Sequence, residues 1–300
     1  LLKNLAREAK TLLLILTAAW LLTACAPSDA SAAAAGEQAG AYIQNTGSDT
    51  IVNLALAWAE EYQQANSGVR ISVTGGGSGT GINALISGTI DIANASRAMK
   101  DEEIAKAQDA GFTPVEHVIA RDAIAVIVNP ENPVSELTMA QIAAIYKGEI
   151  TNWSEVGGED RPIVRLSRET NSGTHVYFLE SVVRMGSKKD KSLFAMETLL
   201  LPSSEGIIAE VRDNPNAIGY DGLGYVIPEV KVLAVAKEAG EEYILPSVET
   251  VNAGSYPISR ELYMYTREDS SAAVNDYLAW VLSAEAQATV LRLGFVPVVQ

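Results

Sequence analysis

Three short segments of this chain are built from the same few residue types: Thr46-Gly47-Ser48-Asp49-Thr50, Gly75-Gly76-Gly77-Ser78-Gly79-Thr80-Gly81 and Asn171-Ser172-Gly173-Thr174. Each stands between a stretch that reads as a strand and one that reads as a helix. The first backbone N–H groups of a helix have no intrahelical partner, and the helix start carries roughly half a positive charge. Serine and threonine hydroxyls add donors there, and glycine lets the main chain approach a ligand closely. The chemistry this favours is capture of a small anion. Ser, Thr and Gly also cap helices and make turns with no ligand, and any one segment is open to that reading. Three in one chain, one with five glycines in seven residues, favour the anion site. Two arginines stand beside them: Arg168 four residues before Ser172, and Arg97 directly after Ser96. A guanidinium can hold two phosphate oxygens at once. An ion pair with Glu169 or Asp101 is the alternative.

Other chemistries lack their parts. A nucleotide-binding loop needs Gly-Lys-Ser/Thr after the turn, and here Gly81 is followed by Ile82-Asn83. The dinucleotide spacing fails because Thr80 and Ile82 occupy the third-glycine positions. Ser78 fails the nucleophile-elbow pattern, since Thr80 stands where the last glycine belongs. A Ser-His-Asp hydrolase has only His117 and His175 to draw on, and no His, Cys or carboxylate cluster has zinc-like spacing. His175 follows Thr174, so it faces either the ligand or the packing.

The turns require alternating strands and helices to hold them. Thr50–Tyr62 reads as a helix, Val69–Val73 as a strand, Ile82–Ser87 as a short helix and Asp101–Ala110 as another. Ala123–Val128 is an uninterrupted apolar run of the kind buried on both faces. Thr138 and Gln141 fit a capping box. Ile163–Leu166 reads as a strand, Thr174–Val183 as a helix, Ile218–Val226 as a strand and turn, and Asn275–Leu291 as a C-terminal helix. Such alternation implies an α/β fold with parallel sheets covered by helices, and 300 residues suggest two domains.

The net charge is −15, and the body is more acidic still, because residues 1–24 contribute three basic groups and one acidic group. No nucleic acid is expected as a partner of such a chain. A bound anion must be held by local donors against an unfavourable overall field. Lys3, Arg7 and Lys10, the apolar run Thr11–Thr23 and Leu22-Thr23-Ala24-Cys25 read as a lipoprotein signal peptide over 1–24. Cys25, the single cysteine, is the expected lipidation site, so no intrachain disulfide is expected. Residues 25–40 read as the lipidated cysteine and a flexible tether, which places the protein at the outer face of a bacterial membrane.

The ordered set G-G-G-S-G-T-G-I, D-I-A-N-A-S-R, I-T-N-W-S-E-V-G-G and S-R-E-T-N-S-G-T, with A-I-G-Y and Y-P-I-S-R-E-L-Y later, resembles the phosphate-binding proteins of bacterial phosphate ABC transporters. The resemblance covers about residues 42–300. It implies a periplasmic-binding-protein type II fold: two α/β lobes, each a mostly parallel sheet flanked by helices, closing on a ligand between them. Lobe one would be 41–126 plus 253–300 and lobe two 127–252, with a hinge near 123–129 and 251–262. It also implies a non-enzymatic monomer that needs no cofactor or metal, binds inorganic phosphate and delivers it to permease subunits of the transporter. By motif, the phosphate contacts would be Ser48, Thr50, Ser78, Arg168, Ser172, Gly173 and Thr174, and Ser96 and Arg97 of the A-S-R stretch are counted as phosphate-binding with them. In well-known members an aspartate after the Ala-Ser pair accepts the proton of hydrogen phosphate. Here Arg97 follows Ser96, so Asp49 is the carboxylate expected to take that role, while Arg97 and Arg168 neutralise charge. A binder of sulfate or molybdate, or a phosphate-ester hydrolase using Ser78 or Ser172, are the competing readings.

Overall fold

The computed structural model describes residues 40–298. The leader over 1–24, Cys25 and the tether up to residue 39 lie outside the described residues.

Helical spacing of apolar residues builds the first layer. Ile51, Leu54, Ala55, Trp58, Ala59 and Tyr62 recur every three or four positions, and all are buried on α1 (Asp49–Ala65). Trp58 also donates its indole N–H to the carbonyl of Ala286, 2.8 Å away, which ties this helix to the C-terminal α9 (Ala284–Arg292). Around α1 run β1 (Ala41–Gly47), β2 (Val69–Thr74), α2 (Ser78–Ile86), β3 (Ile92–Ala95) and α3 (Asp101–Asp109). The long β4 (Pro114–Val128) follows, then β5 (Glu136–Thr138), α4 (Met139–Lys147), β6 (Val164–Arg168), α5 (Gly173–Phe178), β7 (Leu199–Leu201), α6 (Ser204–Asp213) and β8 (Ala217–Gly222). Short β9 (Lys231–Val232), β10 (Ala234–Ala236) and α7 (Val248–Asn252) lead to β11 (Ser259–Arg267), and α8 (Ala272–Val281) precedes α9.

The strands run in the order β2-β1-β3-β11-β4-β8-β6-β7, with β9 also on β4. The outer parts are parallel: β1 with β2 and β3, and β6 with β7 and β8. The centre is antiparallel, because β11 pairs with both β3 and β4, and β4 with β8. One strand therefore serves two sheet portions: residues 114–123 of β4 pair with β11, and 124–128 pair with β8. Its apolar run is explained by burial on both faces. Ala125 and Ile127 enter the core that holds Leu54 and Trp58, while Ile124, Val126 and Val128 enter the core of Tyr146, Trp153, Phe178 and Tyr220.

The Thr138 capping box is present: Thr138 Oγ1 accepts from the Gln141 N–H at 3.2 Å, and Gln141 Oε1 accepts from the Thr138 N–H at 2.9 Å. Three expectations change. Helix α2 begins at Ser78 rather than at Ile82, because Gly77 (φ 91°) takes the N-cap and the second half of the glycine segment is already helical. The expected single helix over 275–291 is two, since the Ser283 hydroxyl accepts from the Ala286 N–H (3.4 Å) and starts a new one. The central strand β11 has no counterpart among the expected elements.

Candidate functional site

The three Ser/Thr/Gly segments, far apart in sequence, meet at one place. Ser48 precedes α1 but does not cap it; its hydroxyl donates to Ser96 Oγ at 2.9 Å. Ser78, the first residue of α2, accepts the Ser96 N–H at 3.0 Å, and its Oγ lies 3.3 Å from Ser96 Oγ. The hydroxyls of Thr50 and Thr174 are 2.8 Å apart across a separation of 124 residues. Gly173 packs so closely that a Cβ there would collide with the hydroxyls of Ser78 and Ser96. Ser172 is the ordinary cap among them, since its Oγ accepts from the Thr174 N–H at 3.2 Å. Asn171 fastens the third segment to the glycine turn: its carbonyl accepts from the Gly79 N–H (3.0 Å) and its amide donates to the Gly76 carbonyl (2.9 Å). Ser48, Thr50, Ser78, Ser96, Ser172 and Thr174 are all 4% exposed or less. Buried hydroxyls in such number are costly unless they are hydrogen-bonded, so a cluster that can also turn its protons to a ligand is suited to an anion.

The charges around this cluster come in pairs. Arg168, at the end of β6 and 1% exposed, donates to Asp49 Oδ2 (2.7 Å), Ser204 Oγ (2.9 Å) and the Pro202 carbonyl (2.8 Å). Asp49 also accepts the Gly76 N–H at 3.0 Å, so its carboxylate bridges the glycine turn and Arg168 instead of capping its own helix. Asp221 lies 3.8 Å from the Arg168 guanidinium, and its Oδ1 accepts from Ser204 Oγ and the Gly222 N–H. Its Oδ2 is buried without a hydrogen-bond partner among the described residues. Complete burial pushes the Asp221 carboxyl up to about 6, against the opposing pull of Arg168.

Neither Asp221 nor Ser204 was among the expected site residues, and a second buried pair was not expected either. Arg260 on β11 sits directly opposite Asp122 on β4 and donates to its carboxylate from Nε (3.2 Å) and Nη2 (2.9 Å). Arg260 also reaches the Ser96 carbonyl (3.0 Å), Thr174 Oγ1 (3.0 Å) and Thr50 Oγ1 (3.4 Å). Burial raises the Asp122 carboxyl above its ordinary range despite Arg260.

Arg97 is arranged differently. Both of its terminal nitrogens bond Glu103 at 2.7 Å, in a bidentate pair with the acid six residues ahead rather than with Asp101 or Glu169. Burial pushes the Glu103 carboxyl up, but the contacts from Arg97 and Lys100 outweigh it and leave it below the usual range. The Arg97 guanidinium therefore stands near Gly79 without bonding a hydroxyl of the cluster.

Neither imidazole bonds a hydroxyl of the cluster among the described residues. His175 Nδ1 lies 2.8 Å from the Arg168 carbonyl and 3.0 Å from Ser167 Oγ, which in turn is 2.6 Å from the Tyr220 hydroxyl. Burial lowers the His175 pKa below its ordinary value, and through these contacts the ring braces the end of β6. His117 bonds Thr266 in the sheet (3.1 Å). Among the described residues no group of His, Cys, Asp and Glu could hold a metal. Beside the cluster runs a groove of about 640 Å³ whose lining includes Arg97, Lys100, Tyr177, Lys188 and Arg260.

Residues 32–285 match the family profile described as the PBP superfamily domain. The chain is 33% identical over 272 residues to the phosphate-binding protein PstS of Pseudomonas aeruginosa, covering 85% of this chain and 82% of that one. It is 27% identical over 301 residues to PstS of Bacillus subtilis, covering 97% and 95%. Among solved structures it is similar to a Clostridium perfringens substrate-binding protein of the phosphate ABC transporter class, crystallised with bound phosphate. There the TM-score is 0.76 and the identity 34%, over 86% of this chain and 99% of that one. An ABC-type phosphate transport receptor from Vibrio cholerae matches with a TM-score of 0.68 and 30% identity, over 85% and 99%.

Proposed function

The chain belongs to the PBP superfamily, among its PstS-like phosphate-binding proteins, and on that premise we propose that it binds inorganic phosphate outside the cell and delivers it to the permease subunits of an ABC-type importer. It is a binder and not an enzyme. The observation that carries this reading is the meeting of Ser48, Thr50, Ser78 and Thr174 in one buried cluster, with Arg168 tied to it through Asp49, the residue between Ser48 and Thr50. Arg168 has Asp49 and Asp221 beside it, and Arg260 has Asp122, so the arginines add little net positive charge. Selection of an anion then falls to oriented donors rather than to bulk charge, which suits an acidic protein.

In this reading Ser48, Thr50, Ser78, Arg168, Ser172, Gly173 and Thr174 donate to the phosphate oxygens, and Ser96 orients Ser48 and Ser78. Asp49 accepts the proton of hydrogen phosphate, a proton that sulfate lacks. Arg97 shapes the loop through Glu103. Segments 41–126 plus 253–300 and 127–252 act as two lobes that close on the ligand, and β4 and β11 join them. Export, lipid attachment through Cys25 and a monomeric state complete the proposal.

Calorimetric titration with phosphate and sulfate at two pH values tests it. Tight, stoichiometric phosphate binding with sulfate weaker is expected; equal affinity for both would shift the reading to a general oxyanion binder. Asp49→Asn should weaken phosphate about 10-fold or more and narrow the gap to sulfate, in line with loss of a charged hydrogen bond. Unchanged selectivity in that variant would remove Asp49 from the proton-accepting role. The mass of the mature membrane-extracted protein tests Cys25, and light scattering tests the monomer.

A further inference from the structure

Arg260 stands where the two sheet portions join, and its guanidinium contacts two of the three Ser/Thr/Gly segments. It bonds Thr50 from the first Ser/Thr/Gly segment, Thr174 from the third and the carbonyl of Ser96 between them. Its Nε and one Nη2 hydrogen go to Asp122, the other Nη2 hydrogen is shared by the two threonines, and one Nη1 hydrogen goes to Ser96. A guanidinium has five N–H donors, so one Nη1 hydrogen is left without a protein partner among the described residues. The same side chain lines the groove beside the cluster and lies 5.7 Å from the Tyr177 ring centroid, between that groove and the hydroxyls.

Its effect on the threonines follows from counting protons. Two hydroxyls 2.8 Å apart hold two protons, and one of these is spent between them. Arg260 only donates, so it occupies lone pairs and never takes the remaining proton. That proton is left to point at an acceptor that is not part of the pair.

Resting on the phosphate reading above, we propose that Arg260 is an anion-binding residue of this site: it gives its free N–H to the ligand and fixes the Thr50–Thr174 pair as a donor. Asp122 is the counter-charge that lets a guanidinium remain buried there, since a buried charge without its partner is strongly unfavourable.

The competing role, a purely structural pair, is separated by removing both charges. Arg260→Gln alone strands a buried carboxylate and should lower the melting temperature as well as phosphate affinity. Asp122→Asn with Arg260→Gln should regain most of the melting temperature, because replacing both members of a buried pair is far less costly than removing one. Phosphate affinity in the double variant, measured by calorimetry, should still be about 100-fold below the unaltered protein, as expected for loss of a buried charge-assisted donor. A double variant that binds phosphate within about threefold of the unaltered protein overturns the proposal. If Arg260→Gln does not fold, the double variant alone carries the test. Absence of phosphate binding in the unaltered protein would instead bring down the reading on which the proposal rests, and the two failures are told apart in the same titration series.

Discussion

Arg97 and Arg168 share a local plan, an arginine preceded by serine at or just past the end of a buried strand, and their guanidiniums meet opposite circumstances. Arg97 closes on Glu103, six residues away, and on the carbonyl next to it. Arg168 bonds Asp49 across 119 residues, Ser204 across 36 and Pro202 across 34. The first arginine completes a loop that the local chain could form without the rest of the molecule. The second links the first Ser/Thr/Gly segment to the end of β6 and to the turn after β7. A cation with distant partners marks a site, whereas one with neighbouring partners marks a fold.

The largest test of that contrast is Arg168→Met. It leaves Asp49 and Asp221 without their cation, and phosphate binding should fall about 1000-fold or more. The same change should cost about 3–5 kcal/mol in denaturant unfolding. A variant that keeps phosphate affinity within tenfold breaks the contrast.

A smaller effect comes from Asp221. Its folded carboxyl is raised to about 6, so the folded state holds the proton more tightly than the unfolded chain does. The stability this contributes is complete below about pH 4 and is lost as pH rises through about 6, a change on the order of 1–3 kcal/mol. Unfolding of the unaltered protein minus that of Asp221→Asn, followed from pH 4 to 7, should show that decline. A flat difference would mean that Asp221 feels little of its burial.

The smallest effect on binding should come from Arg97→Gln. Stability should drop by about 1–3 kcal/mol because Glu103 loses its charged partner, while phosphate affinity stays within about threefold. A tenfold loss of affinity would put Arg97 back among the ligand contacts.

The turns were legible in the sequence because their signal is local: glycine, hydroxyls and a following helix lie within a few residues. The double burial of β4 was legible for the same reason. The pairings were not. Nothing near Arg97 or Arg168 says which one finds a partner six residues away and which one finds a partner 119 away. Arg260 and Asp122 are separated by 138 residues, and only the sheet register brings them opposite each other. A trace of them was present all the same. In Ser259–Arg267 the inward series is Arg260, Leu262, Met264 and Thr266, all buried, so a charge sits in an apolar register. Asp122 likewise precedes the apolar run Ala123–Val128 and is itself fully buried. Charged residues in the inward phase of a strand are the signal that would have found this pair.

The Thr50–Thr174 and Thr50–Arg260 contacts span 124 and 210 residues. Each must close a long loop before it returns any stabilisation, and topologies rich in such contacts fold slowly. The cluster therefore exists only when the chain is complete and fully folded, and no fragment or partly folded species should hold the anion. Ligand that binds the native state alone adds stability in proportion to the logarithm of its concentration. Phosphate in the refolding buffer should accordingly slow unfolding and leave the early folding steps untouched, which makes the anion a chemical marker for the last stage of assembly.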